Sequence, residues 1–322
     1  MPRQPWRWQG PATTRRTIDG VSFPFVKGHG THNDFVVLPD LDGRIHDDLG
    51  PELVRALCDR RGGIGGDGVL RVLRGDFADG AGWFMDYRNA DGSAAQMCGN
   101  GVRVFARYLA AAGLVDVAAL AGPLPIDTRG GVKPVTFCDD GEFSVDMGVA
   151  AVGGLVDVSV GGRWHAARSV GLGNPHAVAF VDSLDEAGGL ATSPFYCAEE
   201  FPDGVNIEFV VPQGEAALAM RVFERGVGET MSCGTGACAA VVAARYDGVG
   251  QGGAAVGAAM AEGGGHMSGV FSATSGRPGC EGGPATYRVQ VPGGVLTASV
   301  DERGHIHLKG PAVLVAEGTW TG

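Results

Sequence analysis

One four-residue pattern occurs twice in this chain, as Cys98-Gly99-Asn100-Gly101 and as Cys233-Gly234-Thr235-Gly236, 135 residues apart. Each copy opens a stretch with helical patterning. After the first, Val102, Phe105, Leu109 and Ala112 recur at spacings of three and four, and Gly113 ends the run. After the second, Ala237 to Ala244 is apolar on nearly every face, as a buried helix would be. Short β-rich runs precede both. FPFVKGHG, NDFVVLPD, GVLRVLR and WFMDYRN read as strands before the first, with PELVRALCDRR as a helix among them. VDVSVGGRWHAARSVGLGNPHAVAFV, VNIEFVVP and LAMRVFERGVGE read as strands before the second. Such a repeat predicts two similar α/β halves.

The boundary between the halves falls near 147–154, where MGVAAVGG breaks the β pattern. The N-terminal half is expected over 21–147 and the C-terminal half over 148–307. A last strand, about 308–318, is free to return to the first half. Glycine accounts for 56 of 322 residues, against a typical usage of about 7%. Much of the surplus lies in 247–286, a Gly/Ala/Ser tract with no core-forming pattern, read here as a mobile insertion. Residues 1–20 are Arg-rich and lack the apolar core of a secretory signal, so they read as a flexible extension.

Charge and composition exclude several functions. A net charge of −11 argues against nucleic acid as a partner, since phosphate contacts need clustered Lys and Arg. No apolar run approaches the 18 or so residues of a membrane span. Only three lysines are present, which narrows any Schiff-base chemistry with pyridoxal phosphate. Seven cysteines, an odd number without a CxxC pair, suit a reducing cytoplasm better than a disulfide framework or a zinc site, so no metal is expected. Cys58, Cys138 and Cys238 read as small buried hydrophobes. Gly63-Ile64-Gly65-Gly66-Asp67-Gly68 fits a dinucleotide-binding expression but follows a helix rather than a strand, so it reads as a turn.

The two cysteines that begin helices carry the chemistry. A helix N-terminus presents unpaired N–H groups and partial positive charge. It should lower the pKa of a thiol placed there, and it makes a seat for a carboxylate that neighbouring glycines allow to approach closely. If the repeat is a pseudo-two-fold, both starts face one cleft, with Cys98 and Cys233 on opposite sides of a substrate α-carbon. Two acid/base groups so arranged invert a stereocentre. On residue pattern alone, Asn33 and Asn206 read equally as turn residues and Glu224–Arg225 as a surface pair.

Several segments, in order, resemble the diaminopimelate epimerase family: GHGTHNDFVVLPD, DRRGGIGGDGVL, MDYRNADGSAAQMCGNGVRVFARYL, GNPHAVAF, DGVNIEF and RVFERGVGETMSCGTGACAA. The resemblance runs from Phe25 to about Val315. It implies an α/β (α+β) fold of two pseudo-symmetric domains, each a curved, mostly antiparallel sheet around a central helix, with the active site between them. It implies Cys98 and Cys233 as the two bases, Cys98 acting on the LL isomer and Cys233 on the meso isomer, with no cofactor. Backbone amides of Gly99, Asn100, Gly234 and Thr235 would hold the carboxylate at the reacting centre, and His176 and Glu224 would adjust proton traffic. Asn33 also belongs to the family's substrate contacts. Asn89, Asn174, Asn206 and Arg225 would hold the distal amino-acid group. Many members carry Gln directly after the Asp of the GIG motif, where this chain has Gly68. The partner implied is a small amino-acid substrate, with room for a homodimer.

Two other readings compete. One is a cofactor-free racemase of another amino acid: of proline or hydroxyproline type, where proline offers nothing for Asn89, Asn206 and Arg225 to hold, or from specialised metabolism, which Gly68 and the insertion leave open. The other is a non-catalytic amino-acid-binding protein or a thiol redox switch, against which the intact acid/base residues and both carboxylate seats argue. The composition of the glycine-rich tract carries a stability prediction. Because loop-closure cost grows slowly with length, replacing 250–283 by a short linker should leave the melting temperature nearly unchanged. A large drop on calorimetry would show that the segment packs.

Overall fold

The computed structural model describes residues 16–17, 20–46, 48–77, 81–249 and 286–322. The expectations for 1–20 and 247–286 therefore lie almost wholly outside the described residues. The chain divides into two units, Met1–Asp146 with Lys309–Gly322, and Met147–Leu308.

In the first unit, strand Val313–Trp320 lies antiparallel to Phe23–Gly30, which lies antiparallel to Asn33–Pro39. Asn33–Pro39 runs parallel to Gly68–Arg74, and Gly68–Arg74 antiparallel to Trp83–Asn89. The two middle strands are buried almost end to end, because both faces are covered. Helix α1, Pro51–Cys58, lays Val54, Leu57 and Cys58 on one face, against Phe23, Val36, Leu38 and Val69. Helix α2, Gly99–Ala111, covers the other face, where Phe35 and Leu70 approach Gly101. Leu124–Ile126, Lys133–Phe137 and Phe143–Val149 follow as antiparallel neighbours at one end of the larger sheet.

The second unit repeats the plan. Ala151–Val160 lies antiparallel to Arg163–Gly171, and Arg163–Gly171 antiparallel to Pro175–Phe180. Pro175–Phe180 runs parallel to Asn206–Pro212, which pairs antiparallel with Ala217–Glu224. The sheet continues through Thr286–Val291 and Gly294–Val300 to His305–Gly310. Helix α3, Gly234–Asp247, touches five of these strands and is buried from Gly234 through Val241, which is why its sequence lacks a polar face.

Two local expectations fail. MGVAAVGG does not break the β pattern: Phe143–Val149 and Ala151–Val160 are separated by one residue, and Ala151 pairs with Gly171. Small residues weaken strand propensity, but a ladder to a neighbouring strand supplies what propensity lacks. Cys138 is half-exposed in the turn after Lys133–Phe137 and is not a core residue. Cys58 and Cys238 are buried, and burial pushes the Cys58 thiol up to about 12.

One side chain ties the start of α2 to the C-terminal segment. The fully buried Arg103 donates to Gly99 O and Pro311 O, both at 3.3 Å, and to Asn100 Oδ1 at 2.8 Å. Arg103→Met strips these buried acceptors of a donor. It is expected to cost roughly 1–3 kcal/mol in denaturant unfolding and to loosen the helix start; wild-type stability would show that the guanidinium does not hold it.

Candidate active site

Cysteine is not among the residues favoured as helix N-caps, yet it caps both α2 and α3. Cys98 has extended backbone (φ −142, ψ 120) and its sulfur accepts from Gly101 N–H at 3.4 Å. Cys233 (φ −115, ψ 115) accepts from Gly236 N–H at 3.3 Å. Each sulfur therefore takes up one first-turn amide. The other first-turn N–H groups, at Gly99, Gly234 and Thr235, have no acceptor within their own helix by construction.

Strand register extends the repeat beyond the cysteines. Phe35 pairs with Gly68 in the first unit as His176 pairs with Asn206 in the second. Asn33 and Asn174 therefore hold the same place, two residues earlier. Val69 pairs with Arg88 and Ile207 with Phe223, so Asn89 and Glu224 also correspond.

Around Cys98, the Asn33 carbonyl oxygen lies 3.6 Å from the sulfur and accepts from Asn100 Nδ2 at 3.1 Å. Asn33 in turn donates to Asp67 at 2.7 Å. Asp67 is anchored by Arg60 at 2.6 Å, and Arg60 and Lys27 also bind Asp34. Burial raises the Asp67 carboxyl above its usual value; Asp34, despite burial, is held well below it by hydrogen bonds from Arg60 and Lys27. Asn89 lies on the last strand of the first sheet and bonds Ser93 Oγ at 3.0 Å. A Cβ at Gly68 would stand 2.5 Å from Arg88 O and 2.7 Å from Tyr87. The neighbouring strand therefore fills the space that a side chain at 68 would need.

Around Cys233, the Thr235 hydroxyl lies 3.5 Å from the sulfur and accepts from Asn174 Nδ2 at 3.3 Å. The Asn174 carbonyl oxygen lies 3.0 Å from His176 Nε2, and His176 Nδ1 lies 2.7 Å from Glu208 Oε1. Glu224 accepts from the Thr230 hydroxyl. Asn206 accepts from Arg225 N–H at 2.9 Å, and the Arg225 guanidinium donates to Asp203 O at 2.7 Å. The structure thus gathers Asn33 and Asn100 beside Cys98, and Thr235, Asn174 and His176 beside Cys233.

The expected lowering of thiol pKa fails at Cys233. Burial, then the charges of Glu224 and Glu208, raise it well above the ordinary thiol value, outweighing the Thr235 and Gly236 hydrogen bonds. Partial charge at a helix end cannot compensate full desolvation beside two carboxylates. Three contributors escaped the sequence reading: Asp67 behind Asn33, Arg103 behind Asn100, and Glu208 behind His176. Only Glu208 left a signal, a lone charge in the apolar run VNIEFVV.

Similar solved structures include a hydroxyproline epimerase from Agrobacterium vitis (TM-score 0.63, 13% identity, 93% of this chain and 92% of that one) and a Bacillus anthracis phenazine biosynthesis protein of the PhzF family (0.59, 17%, 93% and 99%). A family model described as diaminopimelate epimerase matches residues 25–152 and 168–315. The diaminopimelate epimerase of Streptomyces coelicolor is 51% identical over 91% of this chain and 94% of its own, and that of Mycolicibacterium smegmatis 44% over 91% and 95%. The chain belongs to the diaminopimelate epimerase family.

The electrostatics of Cys233 predict its reactivity. Alkylation by iodoacetamide, followed by peptide mass mapping, should be slow at neutral pH and accelerate only above the ordinary thiol pKa of about 8.5. Glu224→Gln removes a negative charge and should move that rise to lower pH. Fast labelling of Cys233 at neutral pH in the wild type would contradict the charge arrangement described.

Proposed function

We propose that this chain is an isomerase that interconverts LL- and meso-diaminopimelate, in lysine and peptidoglycan precursor synthesis, by proton transfer between two cysteines and without a cofactor. The observation that carries the reading is the repeated cap: two helices at matching places in two like-built units, each begun by a cysteine sulfur bound to its own first turn. The family relationship supports the substrate. Each helix start offers backbone N–H groups to the carboxylate at the reacting carbon. Asn89, Asn174, Asn206 and Arg225 hold the distal amino-acid group. An Arg fork suits a carboxylate, and side-chain amides suit an ammonium together with a carboxylate.

One thiolate removes the α-proton and the opposite thiol delivers another to the far face, so the configuration inverts and the protons balance. Cys233, held protonated by burial and by Glu224 and Glu208, is suited to deliver a proton. That supports Cys98 as the base on the LL isomer and Cys233 as the base on the meso isomer. The seven cysteines without a disulfide framework support a cytoplasmic location.

The test starts LL-diaminopimelate in heavy water with chelator present and no cofactor, beside a panel including proline. Early meso product should carry deuterium at the inverted carbon while recovered LL substrate stays almost unlabelled. Cys98→Ala and Cys233→Ala should each abolish inversion. Equal early labelling of substrate and product, full activity in either variant, or turnover of proline but not diaminopimelate would each refute the proposal.

A further inference from the structure

The two half-sites share their topology but differ in one buried pair. Phe35 corresponds to His176, and because Val37 pairs with Leu70 as Val178 pairs with Glu208, Leu70 corresponds to Glu208. Both pairs sit under the third helix residue. A Cβ at Gly101 would meet Leu70 at 3.2 Å and Phe35 at 3.6 Å; one at Gly236 would meet Glu208 Oε1 at 2.6 Å. An apolar pair is enough to seat α2. Under α3 stand two ionisable side chains, both with no exposed surface. Burying such groups carries a desolvation cost that packing does not require.

Their contacts indicate a role. Asn174 Nδ2 donates to Thr235, so its carbonyl oxygen faces His176 Nε2 and can only accept. Nε2 therefore carries a proton. On the other side of the ring, Nδ1 faces a carboxyl oxygen of Glu208, and one proton lies between them. We propose that Glu208 is a positioning residue for the Cys233 half-site: by sharing one proton with His176 Nδ1 it keeps a second on Nε2, and so fixes the direction of the hydrogen-bonded line His176–Asn174–Thr235 that ends at the sulfur.

The pair then holds two protons and no net charge, the form that burial favours. With Nε2–H donating, Asn174 must turn its N–H to Thr235. The Thr235 hydroxyl, having accepted, is left to donate to Cys233. It supports the thiolate at the moment the sulfur gives up its proton. Without Glu208 the imidazole proton is free to move to Nδ1. Nε2 then becomes an acceptor, the Asn174 amide flips, and the Thr235 hydroxyl turns from the sulfur to the amide oxygen. Glu208 Oε2 has no hydrogen-bond partner among the described residues, so Oε1 alone ties the carboxyl group to the ring.

The proton placement can be read without substrate, while its kinetic consequence rests on the two-cysteine reading above. Nitrogen-15 NMR of the full chain labelled at histidine, with His176 assigned by the signal lost in His176→Gln, should show a directly bonded proton on Nε2 at neutral pH. An unprotonated Nε2 overturns the proposal whatever the variants do. Glu208→Met, apolar and of similar length, should lower kcat by about tenfold or more with KM changed less than about twofold. Glu208→Gln, whose amide can still donate to Nδ1, should recover most of the loss. Melting curves establish that each variant is folded. Wild-type kcat in folded Glu208→Met overturns the proposal. So does equal damage from Met and Gln with the Nε2 proton retained, since the carboxylate would then act by charge. A wild-type chain inactive on diaminopimelate would instead sink the two-cysteine reading and leave the NMR result to decide the proton placement.

Discussion

Two hydrogen bonds, from Gly101 N–H to Cys98 and from Gly236 N–H to Cys233, are the contacts on which the rest of the site depends. A thiol at an N-cap is a weak substitute for the usual hydroxyl or carboxylate. The cap persists because each helix is held from behind as well. Arg103 and Asn100 anchor the start of α2, and burial on nearly every side anchors α3. The proposed chemistry can therefore use a reactive atom where a more stabilising one would normally stand.

Glycine enters this arrangement as a matter of space. Gly236 leaves Glu208 Oε1 and Cys233 Sγ only 2.6 and 3.3 Å from where a Cβ would project. A carboxylate, an imidazole and a thiol can share that volume only because the helix contributes no side chain to it. The same economy of space explains Gly68, where the neighbouring strand occupies the room a side chain would need.

Much of the fold was legible in the sequence because its strands and helices obey simple periods. Phe23–Gly30, Gly68–Arg74 and Trp83–Asn89 begin and end where the pattern of apolar residues does. The failures are instructive. MGVAAVGG is strand because of its ladder partners, among them Gly171 and Val170 on the neighbouring strand. Cys138 is half-exposed because a turn takes it out of the sheet. Neither fact is encoded in the residues' own propensities. Cys98, Cys233 and their glycines were legible as a candidate site because identical context recurs, whereas Asp67 and Arg103 looked like ordinary charges.

The sequence by itself determined the repeat, the two capped helices and the candidate site residues, since these follow from local patterning and from chain order. Tertiary structure decided the electrostatics. Helix-end partial charge is a local property and predicts an acidic thiol at Cys233. Burial and the approach of Glu224 and Glu208 reverse that prediction, and both arise only when the strands pack against α3. Protonation depends on the sum of desolvation and charge over a few ångströms, and that sum does not exist until the chain is folded.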